Sequence, residues 1–214
     1  LHLREILAFG NGLPALGQVD VAELTGMTLQ RDLAGLKAEP LGKAEMLLRE
    51  EMSKHTGLPK LSIGAEVYYF TGISDSEAML QLTIDKKRYI LIEMPMPPWS
   101  DRIYRDLENI YVKQDLIPVV AHIDRYIGAF RTYGIPDRLA EYPVLVQANA
   151  SFFLKNSTRS MAMKMLRKNR IHLLGSDCHN LKSRKPNLGE AVELIGKRLG
   201  RAAIEQIRAY EQHV

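Results

Sequence analysis

From residue 61 onward the chain repeats one pattern, a short apolar run that ends in a polar or charged residue and gives way to a stretch of helical period. The apolar runs are short, rich in β-branched residues and bounded by turn residues, which predicts strands over 61–69, 89–94, 117–122, 144–149 and 172–177. Between the second and third of these, Ile103, Leu107, Ile110 and Tyr111 fall on one stripe and predict a helix over 101–114. Met161, Met165 and Leu166 do the same for 158–169. The last periodic stretch, 188–212, predicts a single helix with Asn187 as its N-cap and Ala191, Ile195, Leu199, Ala202 and the stem of Arg201 along its buried side. Strands alternating with helices define an α/β fold with a largely parallel sheet.

The first sixty residues break this rhythm. Asn11, Gly12, Pro14 and Gly17 mark a loop, and 21–37 and 41–54 have helix-forming composition, with Pro40 and Gly42 at the join and Gly57 and Pro59 closing the second helix. There is no internal repeat and no low-complexity linker, so the expectation is one domain over 1–214, with 1–60 mainly helix and loop. Hydrophobic residues make up 46% and charged residues 25%, the balance of a soluble globular protein. No apolar run reaches the length of a membrane span, and no basic segment followed by an apolar one opens the chain. The single cysteine, Cys178, cannot close an intrachain disulfide, which fits a reducing, cytoplasmic location. A net charge of +4, scattered along the chain, argues against nucleic acid as a partner and is compatible with an acidic or phosphorylated substrate.

Candidate chemistry gathers at the strand ends. In parallel α/β proteins the site forms at the carboxyl ends of the strands, and here those ends read Glu66, Glu93, His122, Asn149 and Asp177, with His179 close behind. Carboxylate oxygens and imidazole nitrogens together hold divalent cations of the zinc, manganese or iron type. If strand geometry persists through Cys178, the period of two puts Asp177 and His179 on one side. Each residue alone also reads as an ordinary strand end or core histidine, but independent accidents would not all fall on one rim. Arg125 follows His122 by three residues and Arg184 follows His179 by five, so two guanidinium groups, with paired donors for phosphate oxygens, sit beside the same rim. Cys178 and Arg184 also spell C-x5-R, the spacing of cysteine-dependent phosphatases. That loop needs glycines to turn its N–H groups toward phosphate, and 179–183 has none; Asp177 beside the thiol opposes the thiolate. Cys178 therefore reads as a spacer.

Five motifs in order resemble the polymerase-and-histidinol-phosphatase (PHP) metal-dependent hydrolases, and within them the bacterial tyrosine phosphatases of capsular and exopolysaccharide synthesis. They are G-A-E-V-Y-Y from Gly64, L-I-E-M-P from Leu91, P-V-V-A-H-I-D-R-Y from Pro118, V-Q-A-N from Val146 and G-S-D-C-H-N-L-K-S-R from Gly175. The resemblance implies a TIM-like, distorted seven-stranded barrel carrying a cluster of divalent metal ions, manganese first, with iron and zinc as alternatives. By analogy Glu66, Glu93, His122, Asp177 and His179 are the ligands, and Arg125 and Arg184 are the catalytic and substrate-binding arginines. The implied activity is phosphomonoester hydrolysis on the phosphotyrosine tail of a bacterial tyrosine kinase. The alternatives are a degenerate phosphotyrosine-binding protein and a phosphoesterase for another substrate. The chain departs from the family where two initial strands should carry H-x-H, an acidic pair and a further histidine; His2 stands alone with other neighbours. A truncated chain, a different filling of the gap by 1–60, and a second subunit in a homo-oligomer each account for the missing strands.

Overall fold

A computed structural model describes residues 3–4, 46, 49–50, 52–54, 56, 61–127, 134–178 and 184–214. The helix expected over 21–37 lies outside the described residues. Of the one expected over 41–54, Met46, Arg49, Glu50, Met52 and Ser53 are helical.

Six strands form one sheet in chain order: β1 Leu3–Arg4, β2 Glu66–Tyr68, β3 Tyr89–Glu93, β4 Ile117–Val120, β5 Leu145–Asn149 and β6 Leu173–Gly175. The pairs from β2 to β6 are all parallel, and β1 runs antiparallel along the outer edge of β2. The outer edge of β2 is thus paired over two residues, Leu3 with Val67 and Arg4 with Glu66. Parallel neighbours need crossovers. The one from β2 to β3 is made of 3-10 turns, and those from β3 to β6 contain α1 Asp101–Gln114, α2 Ile135–Leu139, α3 Ala150–Leu154 and α4 Asn156–Arg167; α5 Leu188–Leu199 and α6 Arg201–Glu211 follow β6. No described helix is long and apolar enough to cross a membrane.

Alternation along the strands divides the apolar residues between two cores. Val67, Ile90, Ile92, Val120, Val146 and Leu174 join Ile103, Leu107, Ile110, Leu166 and Ile195 of the helices in the larger cluster. Leu91, Val119, Ala121 and Leu173, on the opposite face, pack with Ile84 and Val214. Both faces are covered, which explains why the strands read as continuous apolar runs. The register places Glu66 beside Leu91, Leu91 beside Val119, Val119 beside Leu145, and Gln147 beside Leu173. The period of two then puts Glu66, Glu93, Gln147 and Asn149 on the face of the second cluster, with that cluster as their apolar floor.

Several sequence expectations are corrected. Residues 61–65 are not strand: the Asp85 N–H donates to Ile63 O at 2.7 Å, the Ala65 N–H to Leu82 O at 3.1 Å, and Ser62 Oγ to Asp85 Oδ2 at 2.7 Å. The apolar run is buried against the 3-10 turns that follow β2, where a Cβ on Gly64 would come within 2.7 Å of Ile84 Cγ1. Glu66 consequently opens β2 instead of closing it. The predicted strand 172–177 shrinks to Leu173–Gly175 because Asp177 turns into the left-handed region at φ 52°. The single helix over 188–212 is two, broken at Gly200, whose φ of 82° and ψ of 179° belong to no helix. After the break the buried side is carried by Ile207, and Ala202 and Arg201 are exposed. The Asn187 side chain gives α5 no capping bond.

Candidate metal centre

The site is assembled from three adjacent strands. Glu66 comes from β2 and Glu93 from the end of β3, while His122 lies two residues past β4. After the last ladder bond, from the Ala121 N–H to Ile92 O at 2.9 Å, the backbone swings at His122 to φ 33° and ψ 58°. That left-handed conformation is rare for a non-glycine residue and costs about 1 kcal/mol. It leads directly into the 3-10 turn Ile123–Arg125.

The result is a convergence of ligand atoms. His122 Nε2 lies 2.6 Å from Glu66 Oε1 and 3.8 Å from Glu93 Oε1. One ligand atom from each of the three residues lies within 4.8 Å of the other two. Glu66 and His122 are each only 4% exposed. Carboxylates brought together out of water are stabilised by a cation placed between them. Two carboxylates and an imidazole are the donor set that borderline divalent ions take, so these residues fit a metal ion. Tyr126 stands behind the imidazole. Its hydroxyl accepts the Met94 N–H at 2.9 Å and lies 3.4 Å from His122 Nδ1. Burial raises the Tyr126 pKa, so the phenol stays protonated at neutral pH.

Two arginines close the other side. Arg125 donates through Nη1 to Glu93 Oε1 at 2.8 Å and through Nη2 to Asp177 Oδ2 at 2.7 Å. Arg184 Nη2 meets the same Asp177 oxygen. Burial alone would raise the Asp177 carboxyl, but the charges and hydrogen bonds of Arg125 and Arg184 outweigh it and hold the group below its ordinary value. Burial also works against the Arg125 charge, and Asp177, Glu93 and Glu66 overcome it. Asp124, beside Arg125, is shifted upward by burial although its Oδ1 accepts the Asn149 N–H at 2.9 Å.

Of the residues picked out in the sequence, Glu66, Glu93 and His122 form the cluster, Arg125 joins Glu93 to Asp177, and Arg184 meets Asp177. His179 lies outside the described residues, as does the interior of the C-x5-R segment. Asp177 is not in a strand, so the period of two expected to run through Cys178 does not hold there. Sequence reasoning missed Gln147 and Tyr126. Gln147 shares strand parity with Asn149 at the end of β5, the one signal that could have marked it.

A parallel α/β sheet whose strand ends gather carboxylates, an imidazole and two guanidinium groups defines an α/β protein with a candidate divalent-metal centre. The chain belongs to the CpsB/CapC family of capsular polysaccharide synthesis, whose model matches residues 33–213. Similar proteins include the tyrosine-protein phosphatase CpsB of Streptococcus agalactiae serotype V, 28% identical over 171 residues, which cover 75% of this chain and 70% of CpsB. The tyrosine-protein phosphatase YwqE of Bacillus subtilis is 26% identical over 162 residues, 72% of this chain and 60% of YwqE. The fold matches a chain from the crystal structures of YwqE and of CpsB from Streptococcus pneumoniae, described as metal-dependent tyrosine phosphatases. The TM-score is 0.72 at 20% identity, over 85% of this chain and 76% of that one.

Proposed function

We propose that this chain is a metal-dependent protein-tyrosine phosphatase whose substrate is the phosphorylated tail of a bacterial tyrosine kinase in capsule or exopolysaccharide synthesis. The observation that carries the reading is the Glu66–Glu93–His122 cluster, buried at Glu66 and His122 and joined through Arg125 to Asp177. The curated relatives named as tyrosine-protein phosphatases support the substrate class.

Glu66, Glu93, His122, Asp177 and His179 would hold the ions, manganese first, with iron and zinc as alternatives. A divalent cation in such a site supplies a water of lowered pKa and neutralises charge on phosphoryl oxygens. The chain's own residues do the rest. Arg125 and Arg184 recognise the phosphate: a guanidinium can keep its carboxylate partner and still offer N–H donors to a second anion. Asp177 keeps both guanidinium groups at the rim, so their positive charge is already in place when negative charge accumulates on the phosphoryl group. Tyr126 and the apolar floor restrict how His122 and the carboxylates can move. The phenolate of phosphotyrosine leaves readily, so the site needs no strong general acid.

The test is hydrolysis of a phosphotyrosyl peptide before and after exhaustive chelation. Activity is expected to vanish on chelation and to return with Mn2+. Undiminished turnover after chelation would overturn the proposal.

A further inference from the structure

The two sides of the centre are connected through β5. Gln147 and Asn149 point to the same face as Glu66 and Glu93, and both are buried. Gln147 Oε1 accepts the backbone N–H of His122. Gln147 Nε2 donates to Asn149 Oδ1 at 3.3 Å, and Asn149 Nδ2 donates to Asp177 Oδ2 at 3.5 Å. An unbroken series of hydrogen bonds thus runs from the backbone of one candidate ligand to the carboxylate of another.

The polarity of this series is determined at both ends. A backbone N–H can only donate, so the oxygen of Gln147 must face His122 and its nitrogen must face Asn149. Asn149 must then present its oxygen to Gln147 and its nitrogen to Asp177, whose ionised carboxylate can only accept. No link sets donor against donor or acceptor against acceptor, and turning over either amide alone would break both of its links. The residues around the series fit it. His122, at φ 33°, has left the strand ladder, and Gln147 supplies the acceptor its N–H would otherwise lack. Asp124 holds the backbone that carries the other amide, accepting the Asn149 backbone N–H at 2.9 Å. On β6, Gly175 pairs with Asn149, and a Cβ there would run into Gln147 Nε2, so glycine makes the seat in which the amide lies.

We infer that Gln147 and Asn149 are positioning residues, an amide relay that sets the His122 ligand against Asp177 so that both sides of the metal centre form as one unit. The inference rests on reading the Glu66–Glu93–His122 cluster as a metal centre. Neither amide needs to touch the ion. Outer partners of this kind typically govern metal affinity by about 10- to 100-fold.

The experiment titrates metal-free full chain with Mn2+ and follows the electron paramagnetic resonance signal of unbound Mn2+. Gln147→Met and Asn149→Ala are each expected to weaken binding by about 10- to 100-fold. The double variant is expected to be no worse than the weaker single one, because a relay is broken only once. Gly175→Ala displaces the same amide by a single methyl group, carries the same expectation, and replaces Gln147→Met if that variant does not fold. Wild-type affinity in folded single variants, or losses that add in the double variant, would overturn the relay alone. A wild-type chain that binds no Mn2+ would overturn the metal reading and the relay with it.

Discussion

Arg125 is the residue on which the geometry of the centre turns. Its Nη1 and Nη2 reach two different carboxylates at 2.8 and 2.7 Å, which a planar fork can do and a point charge cannot. Arg125→Lys keeps the charge and removes the bridge. We expect it to lower kcat/KM for a phosphotyrosyl peptide by about 100- to 1000-fold at saturating Mn2+, the scale of losing one preorganised donor to the reacting group. Unchanged kinetics would show that charge alone suffices. A second residue speaks to stability. His172 is buried just before β6, where its Nδ1 accepts the Val146 N–H at 2.9 Å, and burial lowers its pKa to about 4. The neutral ring is the folded form, so its contribution is fully present above the unfolded value near 6.5 and is lost as pH falls through about 4. The window corresponds to about 3 kcal/mol. Denaturant melts between pH 7 and pH 4 are expected to show a shallower fall in stability for His172→Gln than for the natural chain; parallel curves would exclude His172 as the source. At this scale the sequence was informative wherever a side chain bears charge. Glu93 and Asp177 announce themselves at the ends of apolar runs, whereas Gln147 is an uncharged amide whose role depends on a neighbour 25 residues away.

The elements were legible in order and less so in extent. A run of apolar residues says that a segment is buried but not what buries it. Residues 61–65 are covered by the turns around Leu82 and Asp85 instead of by a neighbouring strand, and no feature of composition distinguishes the two. Gly200 shows the opposite case, in which one residue overrides a strong pattern. Helical period continues through it, yet φ 82° with ψ 179° is a conformation open almost only to glycine, and it re-aims the buried side from Ala191 and Ile195 to Ile207. A Cβ at Gly200 would meet nothing within 4 Å, so the cost of Gly200→Ala is backbone strain alone. We expect a loss of about 1–3 kcal/mol in chemical denaturation, with Mn2+ affinity unchanged because α5 and α6 contribute no ligand to the cluster. A variant as stable as the parent would mean that the two helices can merge into one.

For the molecule as a whole, the alternation of strand and helix made the parallel sheet readable, while nothing in it revealed that Leu3–Arg4 would pair along β2. Such pairing is between backbones and leaves almost no trace in side-chain pattern. The larger question at this scale is how the centre and the fold depend on each other. The main core lies between the sheet and its helices, away from the ligand face, and holds residues from every parallel strand, while Leu91, Val119 and Leu173 lie in the second cluster. That core asks for no metal, so the chelated chain is expected to keep its circular dichroism spectrum. The ligand face is different, because Glu66 and Glu93 are drawn together there and an unfolded chain has no such arrangement to offer an ion. Binding to the folded form alone must therefore raise stability, by about 2.7 kcal/mol when Mn2+ stands a hundredfold above its dissociation constant. For a chain of this size that corresponds to a rise in Tm of roughly 5–10 °C. Glu66→Gln, which weakens the donor set without emptying the core, is expected to shrink the rise; a Tm indifferent to Mn2+ in the natural chain would show that the carboxylates and His122 are held together for a structural reason alone.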